Sequence, residues 1–145
     1  MASLITKKCE PCEAGTPPLQ EERILELQKE VPTWEVKEDK RLEKTFKFKT
    51  FLEGIYFVNR IANLAEEQGH HPDMHIRYRK ITFELTTHAI KGLSENDFIM
   101  ASKIDWMYKL EEKIEKVVVK KLISIKVLIA FIIVLIALLL WQKLF

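Results

Sequence analysis

A short segment that stops a helical pattern constrains the fold of this chain more than any other. Gly69 is typical of the left-handed residue that ends a helix, and Pro72 prevents the helix from continuing. Pro72 also pushes the preceding His71 toward an extended backbone. Two of the chain's four histidines, His70 and His71, therefore lie on a stiff turn, and the carboxylates that flank them are Glu66, Glu67 and Asp73.

This histidine turn indicates acid–base chemistry. An imidazole titrates nearer to neutral pH than any other side chain, so two histidines beside carboxylates can hold a proton donor and a proton acceptor together. The alternative is a set of polar residues on an exposed loop. The rest of the sequence has to decide between the two interpretations.

Hydrophobic periodicity on both sides of the turn predicts an α+β fold. Spacings of three and four residues predict helices, and alternation predicts half-buried strands. The predicted helices are 19–31, 51–67 and a long one that begins near 94–97, and the predicted strands are 34–37, 45–49, 76–78 and 81–88. The order helix-strand-strand-helix-strand-strand-helix predicts a four-stranded antiparallel sheet with helices packed on one face.

The N-terminal residues carry the only two cysteines, Cys9 and Cys12, in a C-x-x-C spacing. A structural zinc site needs four ligands, and a thioredoxin-like motif follows a strand and opens a helix, so neither context is present. We predict a flexible N-terminal tail at 1–16, with metal or redox use of the cysteines left open. The formal net charge of +2 gives no basic surface that would indicate binding to nucleic acid.

The C-terminal residues 122–141 form an apolar run that would cross ~30 Å of hydrocarbon as a helix. We predict a transmembrane helix there, in a C-terminal anchor at 119–145 that follows a domain at 17–118. Lysines are concentrated before the run, so the N-terminal domain is predicted to be cytoplasmic and the chain to be a single-pass membrane protein. The lysines before it are Lys103, Lys109, Lys113, Lys116, Lys120 and Lys121, whereas Lys143 follows it.

A set of spaced residues around the histidine turn is similar to a known family signature. The set is Glu66, His70, His71, Pro72, Tyr78, His88 and Asp97. It resembles the signature of pterin-4a-carbinolamine dehydratases, and the resemblance extends over about 17–105, including residues 31–34, the strand end at 86–88 and the turn at 92–97. The family implies dehydration of 4a-hydroxytetrahydropterin to quinonoid dihydropterin without a metal or another cofactor. Two departures from the family pattern, Gly69 and Met74, leave the substrate and the rate open.

The resemblance also implies roles for individual residues. His70, His71 and His88 would be the catalytic histidines, and the candidate substrate-binding residues are Glu66, Asp97, Trp34 and Asp73. Alternatively, Trp34 is a residue of the hydrophobic core, and Asp97 is a residue that caps a helix. His75 lies outside the signature and is predicted to be an exposed strand residue. Adjacent histidines on an extended backbone point to opposite sides, which makes joint zinc ligation by His70 and His71 awkward, and we predict no metal.

Two functions follow from these observations. The first is a membrane-anchored dehydratase that acts on a pterin substrate, with an aromatic amino-acid hydroxylase as a candidate partner. The second is a non-catalytic accessory or assembly subunit of a membrane protein complex that reuses the dehydratase fold. In either case we expect a homodimer or a membrane hetero-complex, with the membrane contacted through 122–141.

Overall fold

The computed structural model of the protein describes residues 3–11 and 16–144, and it describes their side chains except at 134–140 and 142–144. Cys12, the second cysteine of the C-x-x-C spacing, lies outside the described residues. The elements in chain order are α1 (Glu21–Gln28), β1 (Glu35–Lys37), β2 (Arg41–Lys47), α2 (Phe51–Gln68), β3 (Asp73–Arg77), β4 (Lys80–Leu85) and α3 (Glu95–Leu144). This order of helices and strands fits the predicted α+β arrangement.

The four strands form one antiparallel sheet in the order β1-β2-β4-β3. The β1–β2 hairpin turns through Glu38 and Asp39, which both have positive φ angles, of 54° and 53°. Two residues with positive φ are characteristic of the tight type I′ turn, whose twist matches that of paired strands. Because this turn is so short, β2 begins at Arg41, earlier than the predicted strand at 45–49.

The core lies between one face of the sheet and the helices. Alternate residues of β2 and β4 are buried, and they join buried side chains of α2 and α3 in one hydrophobic cluster. Members from the strands are Leu42, Phe46, Ile81, Phe83 and Leu85, and members from the helices are Phe57, Ile61, Ala65, Phe98 and Ile104. This cluster fixes the end of α2 and the beginning of α3, the two places that carry the predicted site residues.

A buried ion pair connects β2 with α3 at the edge of this core. Lys44 Nζ donates hydrogen bonds to Asp105 Oδ1 and to Thr33 Oγ1, each at 2.6 Å. Thr33 Oγ1 is also 3.2 Å from Asp105 Oδ2, and the ammonium group lies 4.6 Å from the centroid of the Phe46 ring. The side chains of Lys44 and Asp105 are only 18% and 10% exposed, so the pair is largely shielded from water.

Gly92 allows a close approach between the segment before α3 and the segment before α1. Leu19 N donates a hydrogen bond to Leu93 O at 2.8 Å, which brings Pro18 against Gly92. A Cβ atom on residue 92 would lie 2.7 Å from Pro18 Cβ, too close for two carbon atoms that belong to stiff parts of the chain.

A Gly92→Ala variant is therefore expected to lower the free energy of unfolding by about 2 kcal/mol, because the added methyl group overpacks the contact. Urea denaturation of the variant and the wild type measures the difference. The same substitution in a Pro18→Gly background should cost clearly less, since the opposing Cβ is gone. An equal cost in both backgrounds would show that the contact with Pro18 is not its cause.

The N-terminal residues 3–11, which we call the arm, lie against the domain, a set of contacts that the prediction of a flexible tail at 1–16 did not include. Leu4 is fully buried in the core, and its backbone N–H donates to Glu30 Oε2 at 3.1 Å. Lys7 forms an ion pair with Glu95, and Lys103 Nζ donates to Ile5 O at 3.1 Å. The hydrogen bond from Lys7 is the largest effect that lowers the pKa of Glu95 below its ordinary value of 4.5.

The chain divides into two compact units, 1–108 and 109–145. The second unit consists of the rest of α3, and its described apolar side chains from Ile114 onward are exposed, among them Val117, Leu122 and Phe131. Within the described parts of the chain, none of the helices combines the length and the apolar character that crossing a membrane requires.

This finding corrects the sequence analysis. The predicted transmembrane helix at 122–141 is wrong, and so are the membrane contact and the single-pass localisation that were derived from it. A span needs ~20 consecutive apolar residues. The apolar part of α3 whose side chains are described, 122–133, is shorter than this and includes Lys126. The side chains of residues 134–140, which belong to the predicted span, are not among those that the structure describes.

Candidate active site

The histidine turn is built by the end of α2. Gly69 follows the helix with φ 63° and ψ 24°, the left-handed conformation that the sequence predicted for it. His70 N then donates to Ala65 O at 3.2 Å, which ties the turn back to the last turn of α2. At the other end of α2, Thr50 and Glu53 form a reciprocal capping box. Both ends of the helix that presents the histidines are thus fixed by hydrogen bonds.

His70 is the buried histidine of the site, and it is held by a buried carboxylate. Its Nε2 atom lies 2.8 Å from Asp97 Oδ1, and Asp97 is fully buried. The other oxygen, Asp97 Oδ2, accepts hydrogen bonds from Ser94 N at 2.8 Å and from Thr87 Oγ1 at 2.9 Å. An ionised carboxylate only accepts hydrogen bonds, so a neutral His70 ring bound to it donates through Nε2 and keeps its lone pair on Nδ1.

The contact with Ser94 also shows that Asp97 caps the beginning of α3. Its carboxylate lies in the first turn and accepts the N–H of the residue before the helix, which is a common N-terminal capping arrangement. The two interpretations of Asp97 in the sequence analysis are therefore compatible. One side chain caps α3 and orients His70.

The other two predicted catalytic histidines are more exposed, and each of them lies near a carboxylate. His71 Nε2 is 3.0 Å from Glu66 Oε1, and His88 Nε2 is 3.9 Å from Asp73 Oδ2. The exposed fractions of the three imidazole side chains rise from 10% for His70 to 59% for His71 and 78% for His88. Neighbouring His70 and His71 thus have different partners and different environments.

These histidines meet at one cavity of about 380 Å³. His70 and His71 line it from the end of α2, and His88 lines it from a short 3-10 turn, His88–Ile90, that follows β4. The alternation in 81–88 predicts that His88 belongs to a strand, whereas β4 ends at Leu85. A volume of this size falls within the range of roughly 300–1,000 Å³ that is usual for small-molecule sites.

Three of the predicted substrate-binding residues, Glu66, Asp97 and Asp73, lie beside the histidines but do not line this cavity. The fourth, Trp34, does not line it either. It is 1% exposed and packs edge-on against Phe46, with their ring centroids 6.1 Å apart. Its place is the hydrophobic core, which was the alternative interpretation of this residue. His75 is also outside the cavity lining and pairs with Glu84 Oε1 at 3.2 Å. Within the described residues, no cluster of three or more histidine, cysteine or acidic side chains could hold a metal ion.

The structure adds residues to the site that the sequence analysis did not select. Thr87 and Ser94 hold Asp97, and their hydroxyl groups are 2.7 Å apart. Both belong to segments of the family signature, the strand end before His88 and the turn before Asp97, and this was the signal that could have identified them. The cavity is also lined by Asn96 and by the arm through Cys9, Glu10 and Pro11, none of which was predicted to be a site residue.

Comparison with known proteins shows to which class of protein this chain belongs. A protein of Rubrobacter xylanophilus described as a pterin-4-alpha-carbinolamine dehydratase is 43% identical over 105 residues, 72% of this chain and 98% of the relative. A relative of the same description from Rickettsia bellii is 48% identical over 104 residues, 71% of this chain and 92% of the relative. The fold and the sequence relationships define the protein as a dehydratase, an enzyme of the lyase class.

The family itself follows from a match to its sequence model. Residues 17–107 match the model described as "Pterin 4 alpha carbinolamine dehydratase". The chain belongs to this family. A crystal structure of a transcriptional coactivator/pterin dehydratase from Brucella melitensis superimposes with a TM-score of 0.58 at 29% identity and covers 61% of this chain and 95% of that one.

Proposed function

We propose that the protein dehydrates 4a-hydroxytetrahydropterin to quinonoid dihydropterin by acid–base catalysis with histidines. The observation that carries the proposal is that His70, His71 and His88 line the same cavity, with a carboxylate near each imidazole. Family membership supplies the substrate class. The reaction needs a group that gives a proton and a group that takes one, and both kinds of group are available in this cavity.

The reaction consists of three coupled changes. The C4a–O bond breaks, with its electron pair leaving on the hydroxyl oxygen, and a proton is added to that oxygen to release water. The N5–H bond also breaks, and its electron pair forms the C4a=N5 double bond. One proton is supplied and one is removed in each turnover, so the enzyme needs a general acid and a general base at the same time.

His70 is the proposed general base. Because Nε2 donates to Asp97, the lone pair is on Nδ1, which would accept the N5 proton. As the imidazole takes up this proton, the buried Asp97 carboxylate stabilises the positive charge that develops. Asp97 therefore acts on the reaction through His70 and fixes which nitrogen is available.

His88 is the proposed general acid, and His71 the proposed orienting residue. Asp73 Oδ2 lies 3.9 Å from His88 Nε2, and His88 lines the same cavity as His70. The exposed position of His88 allows it to recover a proton from water after each turnover. Glu66 contacts His71 and fixes its ring, and we assign His71 to orienting the pterin in the cavity.

Stopped-flow absorbance tests the proposal. The full-length chain is mixed with freshly generated 4a-hydroxytetrahydropterin, and the appearance of quinonoid dihydropterin is compared with the uncatalysed reaction. We expect a rate that increases in proportion to the enzyme concentration. The matched control is His75→Ala, since His75 pairs with Glu84 away from the cavity, and its rate should stay within about twofold of the wild type.

The opposite result would be a folded chain that does not accelerate the reaction. Such a chain would use the dehydratase fold in a non-catalytic accessory or assembly role, the alternative in the sequence analysis. The predicted homodimer or hetero-complex and the predicted contact with an aromatic amino-acid hydroxylase stay predictions.

A further inference from the structure

The arm contributes to the cavity although it lies outside the stretch that matches the family. The family model matches 17–107, whereas Cys9, Glu10 and Pro11 line the same cavity as His70 and His88. One side of the candidate active site is therefore made by residues that precede the family domain. The mechanism described above assigns these residues no role.

Asn96 fastens the arm at this place. Glu10 N donates to Asn96 Oδ1 at 3.0 Å, and Asn96 Nδ2 donates to Glu10 O at 2.7 Å. The buried side-chain amide thus binds both backbone groups of one arm residue, in the way that a neighbouring strand would. Asn96 is adjacent to Asp97, so the first turn of α3 holds His70 with one side chain and the arm with the next.

Contacts on both sides of Glu10 hold the arm along the domain. Cys9 N donates to Gln68 Oε1 at 3.3 Å, and Gln68 is the last residue of α2 before the histidine turn. Toward the N-terminus, Leu4 is fully buried in the core. The backbone of the arm thus bonds to the domain, while Cys9 and Pro11 give the cavity an apolar wall that suits the face of a flat heterocycle.

We propose that the arm is part of the substrate-binding site and that Asn96 is the positioning residue that holds it there. The proposal rests on the proposed function for its substrate class, a pterin. The arm takes no part in proton transfer, so it affects binding of the substrate and not the chemical step. Its loss should raise KM and leave kcat unchanged.

The test uses the full-length chain with Asn96→Ala, which removes both hydrogen bonds to Glu10. Trypsin cleavage after Lys8 reports whether the arm is released, since a segment bound to the domain is cut slowly. Calorimetric titration with 7,8-dihydropterin reports affinity, and stopped-flow dehydration reports KM and kcat. We expect cleavage to accelerate about tenfold, KM and Kd to rise about tenfold and kcat to change less than about twofold.

Two further variants distinguish the effect of the apolar wall from the effect of the hydrogen bonds that hold the arm. Thr6→Ala is the matched control, because its exposed hydroxyl group donates to Ser3 O within the arm and not to the domain. It should leave cleavage after Lys8 and pterin affinity unchanged. A Cys9→Ala, Pro11→Ala double variant keeps the two bonds between Glu10 and the Asn96 side chain, loses the long 3.8 Å bond from Cys9 Sγ to Asn96 O, and trims the wall. It should weaken pterin binding about threefold and change cleavage less than about twofold. This variant also carries the test if Asn96→Ala does not fold.

The results separate this inference from the proposed function. If the arm is released in Asn96→Ala while KM and Kd stay the same, the arm is not a binding wall. If cleavage does not change, Asn96 does not hold the arm. A wild type that binds 7,8-dihydropterin without dehydrating its substrate would disprove the proposed function while the Kd values still test the arm. A wild type that does not bind pterin would overturn both.

Discussion

An Asp97→Asn chain is expected to fold like the wild type and to lose about 10³-fold of its dehydration rate. Asp97 Oδ2 accepts from Ser94 N and Thr87 Oγ1, so the amide oxygen of an asparagine would take this position. The amide NH₂ group would then face His70 Nε2 and donate to it. His70 would have to carry its proton on Nδ1, and it would have no lone pair on the nitrogen that we assign as the base.

A double-variant cycle measures whether Asp97 acts through His70. Rates of dehydration are compared for Asp97→Asn, for His70→Ala and for the two changes together, with the free energy of unfolding as a check on folding. If one residue positions the other, the combined variant is about as slow as His70→Ala alone. Losses that multiply in the combined variant, or an Asp97→Asn rate within about fivefold of the wild type, would contradict this role.

A Lys44→Ala chain is expected to lose about 3 kcal/mol of its free energy of unfolding. The substitution leaves the carboxylate of Asp105, only 10% exposed, without the ammonium group that lies 2.6 Å away, and Thr33 Oγ1 loses the same donor. A buried charge without its partner is costly because it has lost its hydration without compensation. Urea denaturation followed by circular dichroism gives the difference from the wild type.

Two comparisons show whether burial of this pair is the reason. Lys37→Ala breaks an exposed ion pair with Glu35 and should leave the free energy of unfolding close to that of the wild type, because exposed pairs contribute little. A Lys44→Met, Asp105→Leu double variant removes both charges and should be within about 1 kcal/mol of the wild type. A double variant as unstable as Lys44→Ala would mean that the unpaired Asp105 carboxylate is not the cause of the lost stability.

Local sequence patterns predicted much of the fold because they act over a few residues. Gly69 before His-His-Pro indicated a left-handed helix end, and alternation in 81–85 indicated a strand with one buried face. The patterns were less informative where a tertiary contact decides the structure. Leu19 bonds to Leu93, so α1 begins at Glu21 and not at 19. The anchor at 122–141 was predicted from apolar composition, and this prediction was wrong.

The candidate site could also be predicted only in part. Its histidines were selected from spacing and from the family signature, and the structure brings His70, His71 and His88 to one cavity. Which carboxylate serves which histidine could not be predicted, since that depends on how α2 and α3 pack. The same is true of the arm, whose position depends on Asn96, and of Trp34, whose neighbours in the core are distant in sequence.

The hydrogen bond between His70 and Asp97 joins positions 27 residues apart, one after the end of α2 and one in the first turn of α3. An unfolded chain would rarely bring these two groups together, and a chain in which α3 has separated from the sheet would not do so at all. Turnover therefore reports on the completed tertiary structure. A refolding experiment that follows product formation would detect native molecules only, whereas a helix signal would also include partly assembled ones.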